Sequence, residues 1–132
     1  MLMSHKISLL LVILIAVAMT SGCKSGQAKL TAADNGKKIN IKVSGQIVIV
    51  LDGNPSTGYT WEAKDLDASI LQQVGEVEFK SSNPGLIGSS GSLTLTYKTL
   101  KTGTTTLNLV YHRPWEAEVK PEATFSATIV VK

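Results

Sequence analysis

The chain has 132 residues, with 13 Lys and Arg against 10 Asp and Glu, two His and one Cys. That balance is too mild and too dispersed to argue for nucleic acid, and so few His and Cys give no basis for a metal centre or a bound cofactor. A single Cys also excludes an intrachain disulfide.

The first residues read as an export signal. His5 and Lys6 follow the amino terminus, residues 7–19 form 13 almost purely apolar positions, and Thr20-Ser21-Gly22 places small residues before Cys23. That run is short for a membrane span and fits a signal-peptide core, with an uncleaved signal anchor as the alternative. Cys23 lies where bacterial lipoproteins carry their lipidated cysteine, although Thr20 stands where such signals usually have Leu. The expected organisation is a signal over 1–22, a lipidated Cys23 with a short polar tether over 23–28, and one domain over 29–132. The lipid would hold the exported protein on the cell-envelope membrane. Removing 1–22 leaves 110 residues with 12 basic and 10 acidic side chains, enough for one core and one monomeric domain.

Period-two alternation then dominates. Lys29-Leu30-Thr31-Ala32-Ala33 suggests a short first strand. Ile39, Ile41 and Val43 alternate with polar neighbours, as do Leu93, Leu95 and Tyr97, then Leu107, Leu109 and Tyr111, then Phe125, Ala127, Ile129 and Val131. Residues 47–51 are apolar on both faces, which suits a strand in the middle of the structure. The predicted strands are 38–43, 46–52, 58–64, 72–80, 91–100, 103–112 and 123–131, with at most a helical turn within 65–71. Short strands between regular turns, in a chain of this size, indicate an antiparallel β-sandwich, a small barrel being the other possibility.

If every connection reverses the chain, the loops containing Pro55, Gly88 and Pro114 fall at one pole. Ser44-Gly45, the 65–71 segment and Thr102-Gly103 fall at the other. The first of the three loops, Asn54-Pro55-Ser56-Thr57-Gly58-Tyr59, should be stiff. Pro55 fixes its own φ, Gly58 permits a positive φ, and the short polar side chains can bond nearby backbone groups. Taken alone, those residues would also suit a simple hairpin turn.

The set Asn54-Pro55-Ser56-Thr57-Gly58-Tyr59-Thr60-Trp61, Gly88-x-x-Gly91 and Arg113-Pro114-Trp115, in that order and strand context, closely resembles the chagasin family of cysteine protease inhibitors. The resemblance spans the chain from about Lys29 to Lys132. It departs from the family pattern in having Ser56 where Thr is usual, and Ser90 where the middle motif has Gly. It implies an immunoglobulin-like β-sandwich that blocks papain-like proteases with three loops. Asn54 to Tyr59 would enter the catalytic cleft, Gly88 and Gly91 would belong to the second loop, and Arg113, Pro114 and Trp115 to the third, beside the cleft.

Residue chemistry agrees, because Trp, Tyr and Arg most often carry interface energy. Trp61, within a strand, reads as core, and Tyr97 and Tyr111 as strand packing. Trp115, beside Pro114, reads as a contact. His112, the only His after residue 22, reads as a strand-end surface residue, and Glu116 and Glu118 as a solvated loop face. An enzyme is not expected, since neither a Gly-x-Ser-x-Gly elbow nor a His-Cys or His-carboxylate cluster is visible. The alternative function is an extracytoplasmic glycan- or protein-binding sandwich, in which Tyr59 and Trp115 would stack on sugars.

Overall fold

A computed structural model describes residues 26–132. Cys23, the apolar run over 7–19 and Lys24-Ser25 of the tether lie outside the described residues, while Gln27 and Ala28, expected in the tether, belong to the first strand. Nine strands form two packed sheets: β1 Gln27–Thr31, β2 Lys38–Ile41, β3 Gln46–Gly53, β4 Thr60–Lys64, β5 Leu71–Gln73, β6 Glu78–Ser81, β7 Gly91–Thr99, β8 Gly103–His112 and β9 Ala123–Val131. The first sheet runs β1-β3-β7-β5, with β6 also paired to β7, and the second runs β2-β9-β8-β4. This is the expected all-β sandwich, and no helix among the described residues is long and apolar enough to cross a membrane.

The alternating apolar residues face each other between the sheets. Ile47, Ile49 and Leu51 of β3 and Leu93, Leu95 and Tyr97 of β7 meet Leu107 and Leu109 of β8 and Phe125, Ala127, Ile129 and Val131 of β9. Each large apolar side chain so buried contributes roughly 1.5–3 kcal/mol relative to exposure. β3 is flanked on both edges, by β1 and β7, as its doubly apolar sequence predicts. Trp61 is buried in this core, as expected, and Tyr97 is fully buried. The Tyr97 hydroxyl has no hydrogen-bond partner, and burial pushes its phenol up to about 12.

Some strand ends shift, the first strand running over Gln27–Thr31 with a 3-10 turn at Ala32–Asp34 rather than over 29–33, and two larger details differ from the sequence expectation. The two outer pairings β1–β3 and β2–β9 are parallel, while the remaining ladders are antiparallel. Successive strands β1, β2 and β3 alternate between sheets, so β1 and β3, two reversals apart, lie side by side pointing the same way. The single strand expected over 72–80 is two. Gln73 pairs with Tyr97 and Glu78 with Thr94, so four residues, 74–77, oppose only two on β7. Gly75, at φ +69°, turns this excess outward.

Both halves run antiparallel to β7, so the direction count along the chain is unaltered. The loops over 54–59, 82–90 and 113–122 therefore share one pole. At the far pole, Gly45 N–H donates to Thr99 Oγ1 at 2.8 Å and Leu100 N–H to the Ile70 carbonyl at 2.8 Å. The 65–71 segment there is a single turn, closed by Ile70 and Leu71 N–H groups donating to the Asp67 carbonyl.

Candidate functional site

The 54–59 loop crosses from the first sheet to the second and is built as a tight 3-10 turn, Pro55–Thr57. Asn54 caps it: its side-chain oxygen accepts from Ser56 N–H at 3.1 Å and from the Ser56 hydroxyl at 2.5 Å. The Asn54 carbonyl accepts from Thr57 Oγ1 at 2.6 Å, and the Pro55 carbonyl from Gly58 N–H at 3.0 Å. Pro55 sits at the first helical position, where its missing N–H removes no bond. Gly58 ends the turn at φ +83°, so the positive φ expected from its sequence is present. A Cβ at Gly58 would also strike the Trp115 indole.

Beneath this turn stands a ladder of rings. Trp61 of β4 stacks on Tyr111 of β8 at 5.1 Å between centroids, and Tyr111 meets Tyr59 at 5.2 Å. The Arg113 guanidinium lies over the Tyr59 ring, 4.6 Å from its centroid. Register explains the stack, because Trp61 and Tyr111 are directly paired across β4 and β8. The polar ends are used as well: Tyr111 Oη accepts from Asn54 N–H at 2.9 Å, and Trp61 Nε1–H donates to the Asp52 carbonyl at 3.0 Å. Both bonds tie one sheet to the other directly under the loop.

Arg113 joins the first loop to the third. Its Nε–H donates to the Thr57 carbonyl at 2.9 Å, and an η-nitrogen pairs with Glu116 at 3.1 Å. Glu116 N–H donates back to the Arg113 carbonyl at 2.9 Å, closing a turn with Pro114 at its second position, where a fixed φ is pre-set. Glu116 is thus Arg113's partner rather than part of a solvated face. Trp115 lies along Gly58 yet keeps 69% of its surface exposed. His112, expected on the surface, is half-buried and lies 2.8 Å from Glu62.

The middle loop reaches the first through Gly88, whose carbonyl accepts from Asn54 Nδ2 at 3.0 Å. Serines hold it closed: Ser81 and Ser89 hydroxyls share a hydrogen bond of 2.5 Å, and the Ser90 carbonyl accepts from Ser82 N–H and Oγ. Gly91 is set back in β7, where a side chain would collide with the Lys80 carbonyl of the neighbouring strand. Its glycine permits strand contact, while Gly88 stands beside the tip.

Sequence reasoning passed over Leu86 and Ile87. Both are exposed at the tip of the middle loop, and Ile87 is fully so, at 102%. The available signal was two large aliphatic residues, without periodicity, inside a run of Asn, Pro, Gly and Ser. Tyr111 was likewise read as strand packing, although its hydroxyl supports the loop. Together the pole presents one 3-10 turn, two aliphatic tips and one indole, cross-linked by contacts between the loops. Among the described residues no group of three or more His, Cys, Asp or Glu side chains gathers to hold a metal.

The profile of the family described as Chagasin family peptidase inhibitor I42 matches residues 40–129. Amoebiasin-2 of Entamoeba histolytica is 29% identical over 103 residues, covering 78% of this chain and 84% of its own length. Chagasin of Trypanosoma cruzi is 32% identical over 90 residues, covering 66% and 82%. Among solved structures, the Entamoeba histolytica cysteine protease inhibitor EhICP2 superposes with a TM-score of 0.70 at 28% identity, covering 80% of this chain and 96% of that one. The Leishmania mexicana ICP superposes at 0.56 with 35% identity, over 75% and 90%. A sandwich of this topology, with three braced loops at one pole and a family profile spanning both sheets, belongs to the chagasin family of peptidase inhibitors.

Proposed function

We propose that this chain is a reversible, competitive inhibitor of papain-like cysteine proteases that fills the catalytic cleft with the 54–59 loop. The observation that carries this reading is the 3-10 turn at the loop's tip. A papain-like enzyme attacks a carbonyl held in its oxyanion hole by a thiolate from below, which requires an extended segment with a reachable carbonyl. Here the Asn54 and Pro55 carbonyls are already bonded within the turn, and the Thr57 carbonyl is held by Arg113. Such a wedge occupies the groove without offering a near-attack geometry. Because it is braced before binding, little conformational entropy is lost on association.

The flanking loops extend the contact toward the ~800 Å² per partner of a stable complex. Trp115 supplies an aromatic anchor, Leu86 and Ile87 an apolar one, and Gly88 keeps the two loops in close register. Family membership favours this over a glycan-binding role. Titration of the 24–132 fragment against papain, with a fluorogenic substrate, should give competitive inhibition at or below micromolar concentration. A folded fragment that leaves papain uninhibited at that level refutes the reading.

Export and anchoring belong to the same proposal. Cys23, following the apolar run and small residues, carries the lipid that holds the inhibitor on the envelope membrane. Cells expressing the Cys23→Ala chain should release it from the membrane fraction, and unchanged processing and partition would refute the anchor.

A further inference from the structure

A concavity opens on the flank of the loop pole, between the ends of the two sheets. It encloses about 440 Å3, at the small end of the range for ligand pockets. Its walls include Leu51, Trp61, Tyr111 and Phe125, an apolar and largely aromatic set of which Leu51, Trp61 and Phe125 belong to the core and present only their edges. Asp52 and Glu122 also line it, and both are exposed to solvent. Neither forms an ion pair among the described residues, and no Lys, Arg or His lines the hollow. The three loops and their bracing do not use this opening, although Trp61 and Tyr111 belong to both.

We propose that this hollow binds an amphipathic organic cation: an aromatic ring or short hydrocarbon carrying a protonated amine. The apolar wall takes the hydrocarbon, and two carboxylates without a counter-charge attract the ammonium while disfavouring anions. A hollow this size holds a small molecule or a single side chain, not a folded partner. A ligand of about ten heavy atoms at the efficiency usual for small ligands should bind with a dissociation constant on the order of a millimolar. The exposed carboxylates should favour the amine over its neutral analogue by roughly five-fold.

The protein itself supplies a reporter. Its two tryptophans give two indole N–H resonances, one from Trp61 in the wall and one from Trp115 on the outer loop. 2-Phenylethylamine titrated into the 15N-labelled 24–132 domain should shift the Trp61 indole and the Asp52 and Glu122 amides saturably, leaving Trp115 in place. 2-Phenylethanol should bind about five-fold more weakly, and Glu122→Gln should weaken the amine by a similar factor. A Trp61 indole that stays still at about 10 mM amine overturns the proposal. So does an alcohol that binds as well as the amine, or a Trp115 signal that moves in step with Trp61. The titration is read on the free domain, so its outcome is independent of protease inhibition.

Discussion

Replacing Gly58 by Ala puts a methyl group where the Trp115 indole now lies, on a backbone at φ +83°. The change has two separable costs. A left-handed alanine is strained by roughly 1–2 kcal/mol, which the loop relieves by leaving its bound shape. The methyl group also displaces the indole, and an aromatic anchor is typically worth 2 kcal/mol or more of binding. Gly58→Ala should therefore weaken inhibition of papain by roughly 100-fold or more. In a Trp115→Ala background only the strain remains, because the methyl group has no ring to strike. A double-mutant cycle on the inhibition constants should then show a coupling of about 1 kcal/mol or more, with melting curves confirming that all three variants fold. Additivity to within about 0.5 kcal/mol, or wild-type affinity for Gly58→Ala, would refute the claim that this glycine exists to seat the indole.

Trp61→Ala should cost roughly 3–5 kcal/mol of stability through the cavity it leaves, whereas Trp115→Ala should scarcely move the melting temperature; the reverse pattern in calorimetry would exchange core and contact. Tyr111→Phe keeps the ring stack but leaves Asn54 N–H without its 2.9 Å acceptor, so inhibition should weaken by about 1–3 kcal/mol while the near-ultraviolet signal of the stacked rings persists. Tyr97 makes a pH prediction. Its phenol is neutral in the fold up to about 12 but ionises near 10 when unfolded. Stability should therefore be intact below pH 10 and fall by roughly 3 kcal/mol between pH 10 and 12, a loss that Tyr97→Phe abolishes in denaturant titrations. The same variant should be no less stable at neutral pH, since the hydroxyl it removes is buried without a partner.

Direction along the chain was legible because it depends only on counting reversals, and the bulge over 74–77 leaves that count unchanged. The convergence of three loops followed from it. Gly58's positive φ was legible from local chemistry alone. Other features depend on which residues meet across strands, and one chain's periodicity carries no register. Tyr111's place under Asn54 and the contacts of Tyr59 with Tyr111 and Arg113 arise only once β4 and β8 are paired. The same pairing turns Tyr59 and Arg113, expected to face a partner, into braces of the loop as well. The parallel pairing of β1 with β3 and of β2 with β9 was hidden for a related reason: alternation identifies a strand but not the sheet it joins.

The parallel pairing of β1 with β3 fixes where a tether must leave the domain. Gln27 lies beside Gln46, and the Gly26 carbonyl accepts from Gln46 N–H at 2.8 Å, next to the Ser44-Gly45 turn. The chain therefore enters the sandwich at the pole opposite the three loops, and Lys132 leaves it there too, donating its N–H to the Ile41 carbonyl. β8, at 10 residues, makes the domain roughly 30 Å tall. A lipid on Cys23, three residues before Gly26 in the sequence, would attach the sandwich on the side of the pole opposite its three loops. So anchored, the inhibitor would hold its three loops at the end of the domain away from the membrane, toward enzymes arriving from the surrounding space.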